Sequence, residues 1–424
     1  MKRLITISLL LIYGMSAAYA DVVLECEKLI DVEQGKVLQD QHILIDGAQI
    51  VALGKNVKAS DGAQRIRLDT CLPGLMDMHV HLDGQLSRNG YIERFQNNEA
   101  DQALLAAYYA NITLQAGFTT VRNPGDGYNS TVALRNAIER GVAMGPRIFT
   151  AGKALGSTGG HADPSNGFRH DLMGDPGPES GVVNSVGDAR KAVRQRYKDG
   201  ADFIKITATG GVLSLAKNGQ NPQFTQEELG AIIQTASDYG FHVAAHAHGA
   251  EGMKRAVIAG VRSIEHGTFM NEEIMGLMKE HGTYYVPTIS AGKFVALKSE
   301  EDGYFPPVVR PKAAEVGPQI AETFANAYQH GVKIAFGTDA GVSPHGTNAM
   351  EFVYMVEGGM NELEAIQSAT MTAANLLGVE SRLGSVSEGK LADIIAVNGN
   401  PLEDISLLSQ VSFVMKGGQV YRND

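Results

Sequence analysis

Cysteine and basic residues are scarce in this sequence, and each shortage excludes a class of protein. Two cysteines in 424 residues are too few for a disulfide scaffold. The 36 Lys and Arg are outnumbered by 47 Asp and Glu, and the net charge of −11 argues against nucleic acid or an anionic membrane as the main partner. Glycine is abundant instead, and its 49 copies without a period exclude collagen and suit a fold with many tight loops.

Long apolar runs are also missing, apart from one at the N-terminus. Leu4–Met15 is too short to span a bilayer comfortably, follows Lys2 and Arg3, and precedes a small-x-small site that ends at Ala20. We therefore predict a signal peptide at residues 1–20 and export, most simply to a bacterial periplasm. Loss of Lys2 and Arg3 would take the net charge from −11 to −13. No cysteine follows the cleavage site, so no membrane anchor is expected after cleavage.

The two cysteines leave two alternatives open. In an oxidising compartment Cys26 and Cys71 can pair. They can equally be two separate small buried residues, because the sequence does not fix the distance between them.

Two patterns of apolar residues divide the mature chain. Residues 22–71 contain short Val- and Ile-rich segments broken at Gly or Asp, which is typical of strands joined by turns. From Leu75 onward, short apolar segments alternate with helical stretches, and after a last helix near Asn361–Leu377 the chain returns to strands. The strand candidates in the alternating region are Leu75–Leu82, Phe118–Asn123, Arg147–Gly152, Asp202–Thr207, His242–His248, Arg262–Gly267, Tyr284–Thr288 and Lys333–Asp339.

Eight strands with intervening helices over about 300 residues are the count of a (β/α)8 barrel. The sequence therefore predicts an α/β protein with a TIM barrel at residues 74–379. We expect a small β-sandwich domain built from both chain ends, residues 21–73 and 380–424.

The first barrel strand ends in a histidine pair. His79 and His81 are two residues apart, so the strand period places both side chains on one face, which in a barrel is the interior. The carboxyl end of a barrel strand lies at the catalytic rim. Such a pair alone is a weak signal, but the Pro-Gly turn before it and its place at a strand end favour a functional role.

A lysine inside the fourth strand needs an explanation. Lys205 lies among Phe203, Ile204 and Ile206, where an unpaired charge has a large desolvation cost. Either the side chain points outward past a helix, or the amine points inward, near metal or converted to a carbamate by CO₂.

Further polar residues end other strands. His246 ends the fifth strand, His266 the sixth and Asp339 the eighth. Together with the histidine pair and the lysine they converge on one rim, and imidazole with carboxylate donors suits zinc or a similar divalent ion.

These motifs resemble the metal-dependent amidohydrolase superfamily. The matching segments are PGLMDMHVHL, the strand-four lysine, HAHG, EHG, GTDAG, GFTTVRNPGD (117–126), GGHAD (159–163) and the tail GSVSEGKLADIIAVNGNPLEDI (384–405). The chain is most similar to the branch of imidazolonepropionase-like, Xaa-Pro-dipeptidase-like and Lys/Arg-carboxypeptidase-like enzymes, which includes ochratoxin-degrading amidohydrolases. The resemblance covers nearly the whole mature chain.

The resemblance implies a site with two divalent metal ions, zinc being the first expectation. The residues that would hold the more buried ion are His79, His81 and Asp339. His246 and His266 would hold the more exposed ion, with N6-carboxylated Lys205 bridging the two. A hydroxide between the metals would attack the scissile carbonyl, and Asp339 would be the catalytic residue that passes its proton to the leaving amine.

Other residues are candidates for substrate contacts. His248 shares a strand face with His246 and is expected to contact a substrate carboxylate, although a different strand register would exchange the two roles. His161, flanked by glycines, is expected to contact the substrate or the oxyanion, with an exposed loop residue as the alternative. Arg122 either binds a substrate carboxylate or ties the barrel together. Val212 and Leu213 form either an apolar pocket wall or ordinary loop packing.

The function that these expectations favour is an exported metal-dependent hydrolase that releases a C-terminal amino acid, of the dipeptidase or carboxypeptidase type. Export supports this reading, because peptides reach the periplasm. The alternative is hydrolysis of N-acyl amino acids, of aromatic amides of the ochratoxin type, or of a cyclic amide. An inactive barrel retained for binding is disfavoured because all six ligand positions are kept. The resemblance also implies a homo-oligomer.

Overall fold

A computed structural model describes residues 21–424, so the predicted signal peptide lies outside the described residues. Within this range, no helix is long and apolar enough to cross a membrane. The strands are β1 (Val22–Asp31), β2 (Lys36–Asp46), β3 (Gln49–Gly54), β4 (Gln64–Pro73), β5 (Leu75–Asp77), β6 (Phe118–Asn123), β7 (Arg147–Thr150), β8 (Ile204–Thr207), β9 (Val243–Ala247), β10 (Ser263–His266), β11 (Tyr284–Val286), β12 (Ile394–Val397), β13 (Phe413–Lys416) and β14 (Gln419–Asn423).

Helices occupy most of the connections between the central strands. They are α1 (Gly90–Glu93), α2 (Glu99–Gln115), α3 (Ser130–Glu139), α4 (His170–Met173), α5 (Val186–Asp199), α6 (Gln226–Asp238), α7 (Ala250–Ala259), α8 (Glu272–His281), α9 (Ile289–Ser299), α10 (Arg310–Gln329), α11 (Met350–Glu357), α12 (Glu362–Ser368) and α13 (Met371–Leu377).

Strands from the two chain ends form one sheet. Its order is β14-β13-β12-β4-β1-β2-β3, in which β4 pairs in parallel with β1 and antiparallel with β12. Leu24, Ile43, Ile394 and Phe413 pack together in its core. The predicted β-sandwich built from both termini is therefore confirmed.

The two cysteines lie in the core of this sheet. Cys26 on β1 and Cys71 on β4 are joined by a disulfide, with their Cα atoms 5.9 Å apart. The parallel pairing of the two strands brings them together, and of the two alternatives the structure has the bridge.

The barrel consists of two parallel arcs joined by short bridges. One arc is β5-β6-β7 and the other is β8-β9-β10-β11. Single bridges close the ring at Leu155–Ile206, Tyr285–Ile334 and Val80–Ala340. The predicted (β/α)8 barrel is confirmed, with strands shorter than the sequence patterns indicated.

The eighth position of the ring departs from the prediction of a regular strand at Lys333–Asp339. Its backbone amides alternate between neighbours: that of Ala335 donates to Tyr285 O at 2.9 Å, and that of Asp339 donates to His79 O at 2.7 Å. Asp339 has a φ of +55°, which bends the chain there. The segment closes the barrel but turns too sharply to keep a continuous ladder.

The helix expected near Asn361–Leu377 is two helices, α12 and α13. The chain breaks between them because the carbonyl of Ala369 accepts a hydrogen bond from the amide of Met76, 2.8 Å away at the start of the barrel. Thr370, with φ −130° and ψ −93°, is outside the helical region. Contact with the barrel thus replaces one turn of helix.

Candidate metal centre and active site

The first predicted group of ligands is assembled at the carboxyl rim of the barrel. His79, His81 and Asp339 each offer a donor atom, and these atoms lie within 4.8 Å of one another. Asp339 Oδ1 is 3.4 Å from His81 Nε2 and 3.6 Å from His79 Nε2. Two imidazole nitrogens and a carboxylate oxygen at this spacing are suitable ligands for one divalent ion.

The other ring nitrogens of this pair are held by the protein. His79 Nδ1 is 2.8 Å from a carboxylate oxygen of Glu265, and His81 Nδ1 is 3.0 Å from the carbonyl oxygen of Gly125. A hydrogen bond at Nδ1 fixes the ring so that the lone pair is on Nε2, the atom that faces Asp339.

The second predicted group lies beside the first. The ring centroids of His246 and His266 are 4.7 Å apart, and those of His79 and His266 are 5.0 Å apart. His266 Nδ1 shares a hydrogen bond with Thr288 Oγ1 at 2.8 Å, and His246 Nε2 is 3.0 Å from the carbonyl of Gly210. Among the described residues, Nε2 of His266 and Nδ1 of His246 are therefore left without a hydrogen-bond partner.

His248 joins the same cluster. Its ring centroid is 4.6 Å from that of His246 and 5.2 Å from that of His266. Its Nδ1 shares a hydrogen bond with Thr268 Oγ1 at 2.8 Å, which leaves Nε2 free. Because both strand-five histidines are buried and border the same cavity, the assignment of His246 as the ligand stays a prediction.

Lys205 faces the cavity rather than the outer helices. Its side chain is buried, borders the cavity together with the histidines, and makes no hydrogen bond with any of residues 21–424. Burial lowers the pKa of its amine to about 8. Of the two alternatives, the structure has the inward-pointing amine.

Burial also sets the protonation of the other donors. It holds the pKa of His79, His246 and His266 well below the usual value and lowers that of His81 to about 4, so all four rings are neutral near pH 7. It raises the pKa of Asp339 to about 7, against the opposing charge of Lys205.

The donor set fits divalent metal ions. Asp339 Oδ1 is buried without a hydrogen-bond partner within the described chain, and His266 and Asp339 have φ values of +69° and +55°. Neutral imidazoles with free lone pairs and an unpartnered carboxylate oxygen are what zinc and similar ions bind. Left-handed backbone at non-glycine positions costs on the order of 1–3 kcal/mol each and is found at functional sites.

A cavity of about 780 Å³ opens over these donors. Val212 and Leu213 border it, as do Val295 on α9 and Val316 and Ile320 on α10. Val212 and Leu213 thus lie where the predicted apolar wall would be, and the two helices add a second apolar side that the sequence did not indicate.

His161 also borders the cavity. Its ring stacks on that of His246 with centroids 4.3 Å apart, and its Nδ1 has no hydrogen-bond partner within residues 21–424. It is not the exposed loop residue of the alternative reading.

The structure contradicts the substrate contact predicted for Arg122. Its guanidinium is fully buried outside the cavity and donates to Met78 O at 2.6 Å, to Ser263 Oγ at 2.9 Å and to Glu265 at 2.7 Å. Arg122 therefore ties three barrel strands together, as in the other alternative.

Glu265 is the functional residue that sequence reasoning missed. It is fully buried and bridges Arg122 and His79. A glutamate within the apolar strand that ends at His266 was the available signal, because a buried carboxylate requires a partner.

Fold and donor set together define a metal-dependent hydrolase. The sequence matches the profile of the Amidohydrolase family over residues 70–421, and the chain belongs to that family.

Relatives of known structure or activity agree with this assignment. A crystal structure of a Xaa-Pro dipeptidase with bound methionine in the active site is 56% identical, with a TM-score of 0.91, and the match covers 95% of this chain and 100% of that one. A crystal structure of a prolidase complexed with N-methylphosphonate-L-proline is 34% identical, with a TM-score of 0.86 and coverage of 96% and 100%. The ochratoxinase of Aspergillus niger is 34% identical over 407 residues, which cover 91% of this chain and 82% of that protein. The chain is thus a metal-dependent hydrolase of carbon–nitrogen bonds.

Proposed function

We propose that the chain is an exported dipeptidase that releases a C-terminal amino acid with an apolar side chain, proline and methionine among them. The observation that carries this proposal is the apolar wall that borders the same cavity as the histidine cluster. Val295, Val316 and Ile320 form it, and burying an apolar side chain against them is favourable.

The acids around the cavity argue against a basic side chain in the substrate. Within the described chain, the carboxylates that border the cavity belong to Asp126, Asp163 and Asp339. Asp126 accepts hydrogen bonds from the amides of Tyr128 and Thr131, and Asp163 from loop amides including that of Gly159. Asp339 belongs to the metal site. A lysine or arginine side chain would therefore compete with these loop amides for a carboxylate, and a buried charge without a full partner is costly.

The relatives supply the second support. The matched Xaa-Pro dipeptidase holds methionine in its active site, and the matched prolidase holds a proline phosphonate. Both ligands carry an apolar side chain and a free carboxylate. A cavity of about 780 Å³ is within the size range of sites that enclose small molecules.

The donor groups have separate roles in this proposal. One ion would be held by His79, His81 and Asp339, and the other by His246 and His266. When bound, such ions polarise the scissile carbonyl and make water acidic enough to act as a nucleophile near neutral pH. Zinc is the proposed metal because imidazole nitrogen is the main donor.

Lys205 is proposed to be carboxylated on its side-chain nitrogen. A buried amine that borders the cavity without a hydrogen-bond partner in the described chain is otherwise unfavourable. A carbamate, a monoanion with two oxygen donors, would be a further ligand for the ions that the imidazoles hold.

The remaining polar groups would transfer the proton and bind the substrate. Asp339 Oδ1, without a partner among the described residues, would accept a proton from the attacking water and donate it to the leaving amine. Nε2 of His248, whose Nδ1 is held by Thr268, and the ring of His161 on the same cavity would bind the substrate carboxylate. Release into the periplasm and assembly into a homo-oligomer are parts of the same proposal.

Hydrolysis of aromatic N-acyl amino acids is a second candidate. The ochratoxinase match favours it, and an apolar wall is a suitable surface for an aromatic group.

A substrate panel with zinc-loaded mature protein tests both candidates. It pairs one N-terminal residue with C-terminal Pro, Met, Leu, Lys, Arg or Glu, and adds N-acyl derivatives of Phe. We expect kcat/KM for Pro, Met and Leu to exceed that for Lys and Arg by about 100-fold or more, since charge burial opposes the latter. Preference for basic residues, or turnover of the N-acyl compounds alone, would contradict the dipeptidase proposal.

A further inference from the structure

A loop that follows β8 forms one side of the cavity. It runs from Thr209 to Pro222, and these two residues form an antiparallel β-bridge that holds the ends of the loop together. The amide of Gly210 also donates to Asn221 O at 3.1 Å. Val212 and Leu213 of this loop border the cavity. The loop has no helix or strand of its own between these ends, so its shape depends on contacts with other parts of the barrel.

One lysine provides three of these contacts. Lys312 on α10 donates from Nζ to the carbonyl oxygens of Gly211, Ser214 and Ala216, at 2.9, 2.8 and 2.8 Å. An ammonium group has three donors, so all of them are used on this loop. The hydroxyl of Tyr91 donates to a fourth carbonyl, that of Leu213, at 3.0 Å.

The same helix face also borders the cavity. Lys312, Val316 and Ile320 are spaced by four residues, which places them along one side of α10. Val316 and Ile320 border the cavity directly, whereas Lys312 holds the loop that forms the adjoining wall. The position of α10 therefore determines two walls of the pocket, the one formed by its own side chains and the one formed by the loop.

The loop in turn supports two histidines. Gly210 O is 3.0 Å from Nε2 of His246, and the His161 ring lies so close to Gly211 that a side-chain carbon there would be 2.2 Å from it. Movement of the loop would therefore remove a hydrogen bond from the His246 ring and a packing contact from the His161 ring.

From these contacts we infer that Lys312 is a positioning residue that fixes the 209–222 loop against α10 and so sets the shape of the substrate pocket. It touches neither substrate nor metal in this role. The part of the inference that concerns substrate rests on the proposed function, whereas the part that concerns the loop does not.

The test compares Lys312→Met with Lys279→Met in the zinc-loaded mature protein. Methionine keeps the apolar stem of Lys312 and removes its three donors. Lys279 on α8 is the matched control, because its Nζ also donates to a backbone carbonyl, that of His330 at 2.8 Å, but on the exposed surface. The readouts are hydrogen exchange of peptides from 209–222, zinc content, and kcat and KM for the best dipeptide of the panel.

We expect exchange in 209–222 to accelerate about tenfold or more in Lys312→Met, because the loop opens locally. KM should rise about tenfold while kcat falls less than about threefold, because the loop forms the pocket wall directly and reaches the reacting groups only through its one hydrogen bond to His246. The Lys279→Met protein should match the wild type in exchange, zinc content and kinetics.

Tyr91→Phe is a second, milder variant in case Lys312→Met does not fold. It removes only the hydrogen bond to the carbonyl of Leu213, so we expect faster exchange in 209–222 and a higher KM, both by less than in Lys312→Met. Exchange in 209–222 that stays at the wild-type rate in both variants would overturn the inference. Faster exchange with unchanged KM would overturn the role in substrate binding. If the wild type hydrolyses no dipeptide, the proposed function fails, and the exchange comparison still decides whether Lys312 holds the loop.

Discussion

The Nδ1 atom of His79 lies 2.8 Å from Oε2 of Glu265, and neither side chain is more than 1% exposed. The other carboxylate oxygen of Glu265 accepts from Arg122 at 2.7 Å and from Ser263 at 2.5 Å. One glutamate therefore orients a predicted metal ligand and neutralises a buried guanidinium. Such partners of ligating histidines set the ring orientation and raise ligand basicity.

Substitution of Glu265 by Gln should weaken both metal retention and stability. The change leaves the charge of Arg122 buried and uncompensated, which is expected to lower the free energy of unfolding by about 3–5 kcal/mol. Loss of the carboxylate at His79 is expected to weaken zinc affinity by about 10- to 100-fold. Urea unfolding and competition with a chelator measure the two effects.

Glu25→Gln is the control for this change. Glu25 pairs with Arg65 and Arg67 at the surface of the β-sandwich, and exposed pairs contribute about 0–1 kcal/mol. A Glu265→Gln protein with wild-type stability and zinc affinity would show that the buried network does not support the metal centre.

Substitution of Asp339 by Asn should separate proton transfer from metal binding. The amide keeps an oxygen donor next to His79 and His81 but accepts no proton, so we expect zinc to be retained and kcat to fall by about 10²- to 10⁴-fold. Metal analysis and steady-state kinetics on the same preparation provide the measurement. Full activity in this variant would contradict the proposed role of Asp339. The control is Asp238→Asn at an exposed aspartate, which should leave kcat unchanged.

The histidines and the aspartate of the predicted metal site could be picked out from sequence because each lies at the end of a strand that the apolar pattern delimits. His79 and His81 follow from the strand period, and the barrel brings their rim to Asp339. Glu265 was missed and the two alternatives for Arg122 stayed open for one reason: their roles are defined by each other across the barrel. No local pattern in the sequence records such a pairing.

Other features also required three-dimensional information. The eighth strand lost its regularity because the amides of Ala335 and Asp339 donate to opposite neighbours, whereas in a regular strand two residues an even number apart point to the same side. The pocket wall on α9 and α10 was not predicted because helix spacing alone does not reveal which apolar side chains border a cavity and which fill the core.

An acid placed on the apolar wall should change substrate preference. In Val295→Asp the new carboxylate faces the cavity and offers a partner to a basic side chain, so kcat/KM for C-terminal Lys or Arg should rise relative to Pro by about 10-fold or more. Leu297→Asp is the matched control, because Leu297 is on the same helix but 60% exposed. An unchanged ratio in Val295→Asp, with the protein folded, would show that this wall does not contact the substrate side chain.

The disulfide should stabilise the β-sandwich without supporting the metal centre. Cys26 and Cys71 are 45 residues apart in sequence, and a bridge closing a loop of that length is expected to contribute about 3–4 kcal/mol. The Cys26→Ser, Cys71→Ser double variant should therefore unfold at a lower urea concentration while zinc content and kcat in the folded protein stay at wild-type values. Wild-type protein made in a reducing cytosol should match the double variant, and oxidation should restore it, because such bridges persist only in oxidising compartments. Equal urea midpoints for oxidised wild type and the double variant would show that the bridge does not stabilise the fold, and would remove one physical reason for the chain to be exported.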